Sequence, residues 1–256
     1  METLKALLFD CDGVIAETEK DGHRAAFNKA FREYGLDVVW DIEEYGKLVK
    51  ISGGKERMRF YFSTHADLIH GYEDHEKLIK ELHSRKTEIF ISMCEKGELP
   101  LRSGIRRLME QALKESLLLG ICSTSNEKSV TSLVIGNLGE VWLDRFHGIF
   151  AGDIVKEKKP SPEIYNIARQ AFNVYSRECF VVEDSRNGLL AAKAAGMHCI
   201  ITPSYYSREE DFSEADLVVS SLGEPEENKI EILKSKKDLK DDYQYVDIKM
   251  LKKFME

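Results

Sequence analysis

Short apolar runs alternate with longer stretches of helical spacing along most of the chain. Ala6-Leu7-Leu8-Phe9 is uninterrupted and too brief for a helix, which predicts a strand buried on both faces. Beyond it Ala25, Ala26, Phe27, Ala30 and Phe31 recur at helical spacing, and Gly35 supplies a stop. Asp41 to Lys50 is a second short helical pattern, broken by Ile51-Ser52-Gly53-Gly54. Lys55-Glu56-Arg57-Met58-Arg59-Phe60 restarts a helix. Asp74 to Cys94 predicts a long amphipathic helix carrying Leu78, Leu82, Thr87, Phe90 and Met93. No strand is expected between residues 17 and 96.

The pattern changes at Glu98-Leu99-Pro100-Leu101-Arg102-Ser103-Gly104. A helix is expected over about 104–115, a buried strand from Leu117 to Cys122, and a helix from Glu127. Gly148 to Ala151 reads as a strand and Ser161 to Phe172 as a helix, with Pro162 in its first turn. Cys179 to Val182 is the next strand, Asn187 to Ala195 the next helix, and Cys199–Ile201 and Leu217–Val219 two more strands. This alternation predicts an α/β fold, a Rossmann-like parallel sheet covered on both faces. An all-helical domain is inserted after the first strand. The expected organisation is core over 1–16, helical insert over 17–96, core again over 97–225, and an extension over 226–256. That extension is expected as helix or loosely held tail, since Lys234 to Lys240 is strongly charged.

Charge narrows the classes of partner. The formal net charge of −8 disfavours nucleic acid, and an anionic substrate would need a locally basic site. No apolar run approaches the roughly 18–20 residues of a membrane span. The five cysteines, Cys11, Cys94, Cys122, Cys179 and Cys199, show no metal-binding or disulfide spacing and suit a reducing compartment. A cytoplasmic monomer is expected, or a protein of the plastid stroma if a transit peptide has been removed.

The candidate chemistry sits where predicted strands end. The first strand stops at Asp10-Cys11-Asp12-Gly13, and acids two apart in extended chain face one way. Such a pair persists when a cation or shared proton offsets its repulsion. Ser123-Thr124-Ser125-Asn126, Lys158-Lys159-Pro160 and Glu183-Asp184-Ser185 leave the later strands. Ligands of open parallel sheets bind at the carboxyl ends of strands. Together these groups offer acids for a cation, and hydroxyls, helix-start N–H groups and an ammonium for an anion. That combination fits phosphate held with Mg²⁺. Gly53-Gly54-Lys55-Glu56-Arg57, a glycine pair opening a basic helix start, is a plausible seat for a second phosphate.

In these motifs, Asp10-Cys11-Asp12-Gly13-Val14, Cys122-Ser123-Thr124-Ser125, Lys159-Pro160 and Glu183-Asp184-Ser185, the chain resembles the haloacid dehalogenase-like hydrolases. The resemblance extends over residues 1 to about 222, and the insert resembles the helical cap of the phosphoglucomutase-like branch. Ala16-Glu17-Thr18-Glu19, Phe27-Asn28, Ser52 to Arg57, Ala151-Gly152-Asp153 and Ser204-Tyr205-Tyr206 resemble the CbbY group, phosphatases of xylulose 1,5-bisphosphate. The resemblance implies that Asp10 is the nucleophile and Asp12 the general acid and base. Ser123 would hold phosphate, with Thr124, Ser125 and Asn126 beside it, and Lys159 would neutralise the transferring phosphoryl. Mg²⁺ would take Asp10, the Asp12 carbonyl and Asp184, with Glu183 as ligand or neighbour. Glu17, His23, Gly53, Gly54, Lys55 and Arg57 would bind substrate. His23 departs from the group by lying one residue further from Asp10. The alternatives are a phosphomutase of the β-phosphoglucomutase type and a non-catalytic phospho-sugar binding protein, against which the intact Asp10 and Asp12 stand.

Overall fold

Ala6–Phe9 form β1, an inner strand of the sheet in the computed structural model of the chain. The structure describes residues 3–51, 53–152, 154–226, 229–239 and 243–255. Ser52 and Asp153, which belong to motifs named above, lie outside the described residues. β2 (Leu118–Ser123) pairs with β1 and with β3 (Gly148–Ala151), and β4 (Cys179–Glu183) pairs with β1 on the other side, all parallel. Leu7 stands opposite Leu119 on one side and Phe180 on the other. β5 (His198–Ile201) and β6 (Leu217–Val219) continue the parallel sheet. β7 (Ile232–Ser235) completes it antiparallel, in the order β3-β2-β1-β4-β5-β6-β7.

Among the described residues between 17 and 98 there is helix and no strand. One π-helical turn, Thr18–His23, leads into α1 (Arg24–Glu33). A π turn takes one residue more than an α turn. α2 (Ile42–Leu48) and α4 (His75–Glu95) start at Asp41 and Asp74, whose carboxylates accept the N–H of Glu44 at 2.7 Å and of Lys77 at 2.9 Å. α3 (Gly54–Thr64) lies between them. The helices share an aromatic core in which Phe27 and Phe31 each lie 4.8 Å from the Trp40 ring. Asn28 fixes Trp40 by accepting from its N–H and donating to its C=O, both at 2.8 Å. The chain returns beside its point of departure: Leu101 pairs antiparallel with Ala16, and the Arg102 N–H donates to the Ile15 carbonyl at 2.9 Å.

The remaining helices cover the sheet. Alternate strand residues divide between its faces, as parallel strands buried on both sides require. Leu7, Phe9, Ile121 and Val182 pack with α5 (Ile105–Lys114), α6 (Glu127–Leu138) and α9 (Ile248–Lys253). Ala6, Leu8, Cys122 and Val181 pack with α7 (Glu163–Ala171) and α8 (Arg186–Ala194). The extension departs from expectation in part. Residues 232–235 add the edge strand, and Lys234 and Lys236 donate to the carbonyls of Ser213 and Glu214 at 2.7 and 2.8 Å. α9 takes the helical alternative and is docked, with Ile248, Met250 and Leu251 buried. No helix among the described residues is long and apolar enough to cross a membrane.

Candidate active site

Four segments converge where the parallel strands end. Asp10 leaves β1 with its N–H still bonded to the Val182 carbonyl at 2.9 Å, so the sheet fixes its backbone. Its Oδ1 accepts from Lys159 Nζ at 2.5 Å. Lys159 spends its other donors on Glu183 Oε1 at 2.6 Å and the Cys122 carbonyl at 2.9 Å. Glu183 is fully buried, and the hydroxyl of Tyr165 donates to the same Oε1 at 2.7 Å. Space for this carboxylate comes from Gly188 on α8, where a Cβ would stand 1.9 Å from it.

Asp184 completes a buried cluster with Asp10 and Glu183, in which one oxygen of each lies within 4.8 Å of the others. Gly13 lets it in, because a Cβ there would meet Asp184 Oδ2 at 2.2 Å, and its φ of +83° suits glycine. Two of the three acids therefore share one ammonium, and Asp184 has Arg102 as its positive neighbour. Burial pushes Asp10 up to about 8 against the pull of Lys159, with Glu183 and Asp12 adding to the rise. Burial, then Glu183 and Asp10, lift Asp184 well above the carboxylate range. Burial opposes the charge on Lys159, but Asp10 and Glu183 outweigh it and raise its pKa. An anionic pocket of hard oxygen donors that cannot all stay charged unaided could hold a metal ion.

Asp12 turns to the other side of the turn. Its Oδ1 accepts from Thr18 Oγ1 at 2.6 Å, and its Oδ2 from Ser125 Oγ at 2.5 Å and Ser123 Oγ at 3.3 Å. His23 Nε2 stands 3.8 Å from Oδ1. Lys86 of α4 lies 2.9 Å from His23 Nδ1, and an ammonium only donates, so the ring proton sits on Nε2, facing Asp12. Burial and then Lys86 push His23 down to about 4, which keeps the imidazole neutral at neutral pH. The Asp12 carboxylate is thus apart from the acidic cluster, and only its carbonyl remains as the metal donor expected from sequence.

The expected substrate residues are placed unevenly. Glu17 accepts from the Tyr205 N–H at 3.3 Å, at the junction of helical segment and core. Lys55 is half-buried in the first turn of α3, and Gly53, the N-cap, brings no capping side chain. Gly54 lies against His83 and Phe27. Thr124 is half-buried, whereas Asn126 is exposed and caps α6 by accepting the Lys128 N–H at 2.9 Å. Arg57 corrects an expectation. Its guanidinium donates to Ile51 O, Val49 O, Tyr45 Oη and both oxygens of Glu19, at 2.7–3.3 Å, which occupies all five N–H groups and leaves none for a ligand. Burial works against the Glu19 carboxylate, yet Arg57, His23 and the Tyr45 hydroxyl hold it down to about 2.

Tyr165, Tyr45 and Lys86 were not singled out from sequence, and Thr18 and Glu19 stood in the Ala16–Glu19 motif without an assigned role. Lys86 carries a readable signal, since it interrupts the apolar stripe Ile79, Leu82, Ile89, Phe90 of α4. Tyr165 has none, because nothing in its helical spacing points to Glu183.

Residues 4–196 match the family model described as haloacid dehalogenase-like hydrolase. A CBBY-like protein of Arabidopsis thaliana is 48% identical over 230 residues, 89% of this chain and 72% of that protein. A solved structure of a point mutant of CbbY from Rhodobacter sphaeroides, in complex with xylulose 1,5-bisphosphate, superposes with a TM-score of 0.74 at 38% identity, covering 86% of this chain and 95% of that one. β-Phosphoglucomutase from Clostridium difficile superposes with a TM-score of 0.63 at 25% identity, covering 86% and 92%.

Proposed function

The chain belongs to the haloacid dehalogenase-like hydrolases and is a phosphatase of phosphorylated sugars, and from that premise we propose that it removes phosphate from xylulose 1,5-bisphosphate with Mg²⁺, through a phosphoryl group carried on Asp10. The observation that carries this is the Asp10 carboxylate at the end of β1, 2.5 Å from the Lys159 ammonium and beside Asp184. Phosphoryl transfer asks a protein mainly for positioning and neutralisation of charge. Lys159 keeps Asp10 oriented and partly offsets the negative charge of the incoming phosphate. Asp12 acts as acid and base, giving a proton to the leaving sugar oxygen and then taking one from the water that frees the aspartyl group. Ser123 and the N–H groups after it receive the phosphate oxygens.

The donor set of Asp10, Asp184 and the Asp12 carbonyl suits Mg²⁺, being all oxygen, with Glu183 held beside it by Lys159 and Tyr165. When bound, Mg²⁺ would supply positive charge to the transferring phosphoryl. The helical segment, 17–96, serves as a cap that selects substrate and excludes water. Lys55, in the first turn of α3, takes the distal phosphate, for which the Glu56 carboxylate that lies against Gly53 has to move aside, while Arg57 holds the wall through Glu19.

Release of inorganic phosphate from a panel of phosphorylated sugars tests the reading, with the product sugar analysed in parallel. Xylulose 1,5-bisphosphate should be the preferred substrate, and chelation of Mg²⁺ should stop its turnover. Movement of phosphate to a second sugar rather than to water would replace the phosphatase by a mutase, and full activity after exhaustive chelation would remove the metal.

A further inference from the structure

Arg102 lies on none of the sequence motifs, yet it is the first residue of the returning chain after Leu101 pairs with Ala16. Its backbone N–H donates to Ile15 O at 2.9 Å. Its side chain is only 15% exposed and turns inward between two loops of the site. Nη1 donates to the Gly13 carbonyl and to the Thr202 carbonyl at 2.8 Å, with Thr202 Oγ1 at 3.2 Å, and Nη2 donates to the Pro203 carbonyl at 2.8 Å. The Glu17 carboxylate faces it at 3.7 Å, and the positive charge of the guanidinium also acts on Asp184. A guanidinium whose close partners are backbone carbonyls acts first as a fixed bracket, with its ion pair to Glu17 the longer contact.

Both loops it joins carry the chemistry. Gly13 follows Asp12 and faces Asp184 at a distance that admits no side chain. Thr202 and Pro203 follow β5, and the Thr202 N–H donates to the Glu183 carbonyl at 2.8 Å. The same loop reaches Asp184, since Ser207 Oγ donates to the Asp184 carbonyl at 2.6 Å and accepts the Ser204 N–H at 2.9 Å. Rotating the Gly13 peptide would swing Asp12, and releasing Thr202 would loosen the loop under Asp184.

We infer that Arg102 is a positioning residue, which sets the Asp10–Asp12 turn against Asp184 by bracketing Gly13 to Thr202 and Pro203. It touches no reacting atom. Lysine is a poor substitute, because its shorter, flexible ammonium lacks the rigid second nitrogen with which Arg102 also holds the Pro203 carbonyl. The inference rests on the phosphatase reading and adds to it a residue that acts on the turn, not on the sugar.

The test compares wild type, Arg102→Lys and Arg102→Ala on p-nitrophenyl phosphate and on xylulose 1,5-bisphosphate, with melting temperatures alongside. A misplaced turn should lower kcat about 100-fold on both substrates and leave KM within about threefold. Guanidinium ion at millimolar concentration should restore part of the Arg102→Ala activity, and ammonium at the same concentration should not. A loss confined to the bisphosphate, or expressed in KM, would overturn the inference in favour of a role in the helical segment. So would undiminished kcat, a lower melting temperature with full activity beneath it, or a loss that guanidinium does not relieve. Wild-type protein that releases phosphate from neither substrate would refute the phosphatase reading itself and this inference with it, a pattern distinct from any failure of the variants.

Discussion

The strand-end site and the helical segment both bury charge, in opposite ways. At the strand ends Asp10 and Glu183 share the ammonium of Lys159 while Asp184 has only the more distant Arg102, and burial pushes Asp10 up to about 8. In the segment Arg57 meets one carboxylate and one hydroxyl with every donor used, and Glu19 is held down to about 2. The first arrangement is short of positive charge and is completed by what binds to it. The second is complete by itself and serves as framework. Uncompensated burial marks the chemistry, and compensated burial marks the scaffold that brings substrate to it.

The largest effect expected is from Asp10→Asn. It removes the nucleophile and one of the crowded negative charges together. Turnover should fall about 10⁴-fold or more, while the melting temperature holds or rises as repulsion with Glu183, Asp12 and Asp184 is relieved. Phosphate release near the wild-type rate would remove Asp10 from its role, and a sharp drop in melting temperature would mean that its charge was compensated after all.

Arg57→Met should do the reverse. It leaves the half-buried Glu19 without its partner, at a cost of about 3 kcal/mol, a fall on the order of ten degrees in melting temperature for a chain of this length. Hydrolysis of p-nitrophenyl phosphate below that temperature should persist. The double variant with Glu19→Gln should recover part of the loss, because no charge is then left alone. Additive losses would show that the two residues are not a pair.

Acid should separate the regions more gently. Glu19 is depressed from 4.5 to about 2, so its contribution is fully present above its unfolded pKa and is lost as pH falls through the folded one. That contribution is about 3 kcal/mol at neutral pH. The melting-temperature gap between wild type and Glu19→Gln should therefore be widest above pH 5 and narrow steadily toward pH 2. A gap independent of pH would assign the effect of Glu19 to packing.

What the sequence could and could not disclose follows from the same contrast. Strands such as Ala6–Phe9 and Cys179–Glu183 are buried on both faces, so continuous apolar runs betray them. The acids and Lys159 stand at the ends of those runs, where topology alone brings them to one edge. β7 was missed because Lys234 and Lys236 read as a solvated charge run, although their ammonium groups reach carbonyls beside the sheet. The π turn at Thr18–His23 is a backbone event with no composition of its own. Arg57 was read as a phosphate ligand because its acid lies 38 residues away, and only the fold shows that its donors are spent. Arg102 was passed over as linker because its partners are carbonyls, which every residue carries.

The most direct measurement of the division between core and helical segment is a ratio, kcat/KM on xylulose 1,5-bisphosphate over kcat/KM on p-nitrophenyl phosphate, in Lys159→Ala and Lys55→Ala. Lys159 serves the transferring phosphoryl that both substrates share, so its variant should slow both and leave the ratio near the wild-type value. Lys55 serves a second phosphate that only the sugar carries. Its variant should spare the aryl phosphate and lower the ratio about tenfold to a hundredfold, one charged contact of about 1–3 kcal/mol. A ratio that falls in Lys159→Ala, or stays unchanged in Lys55→Ala, would contradict that division.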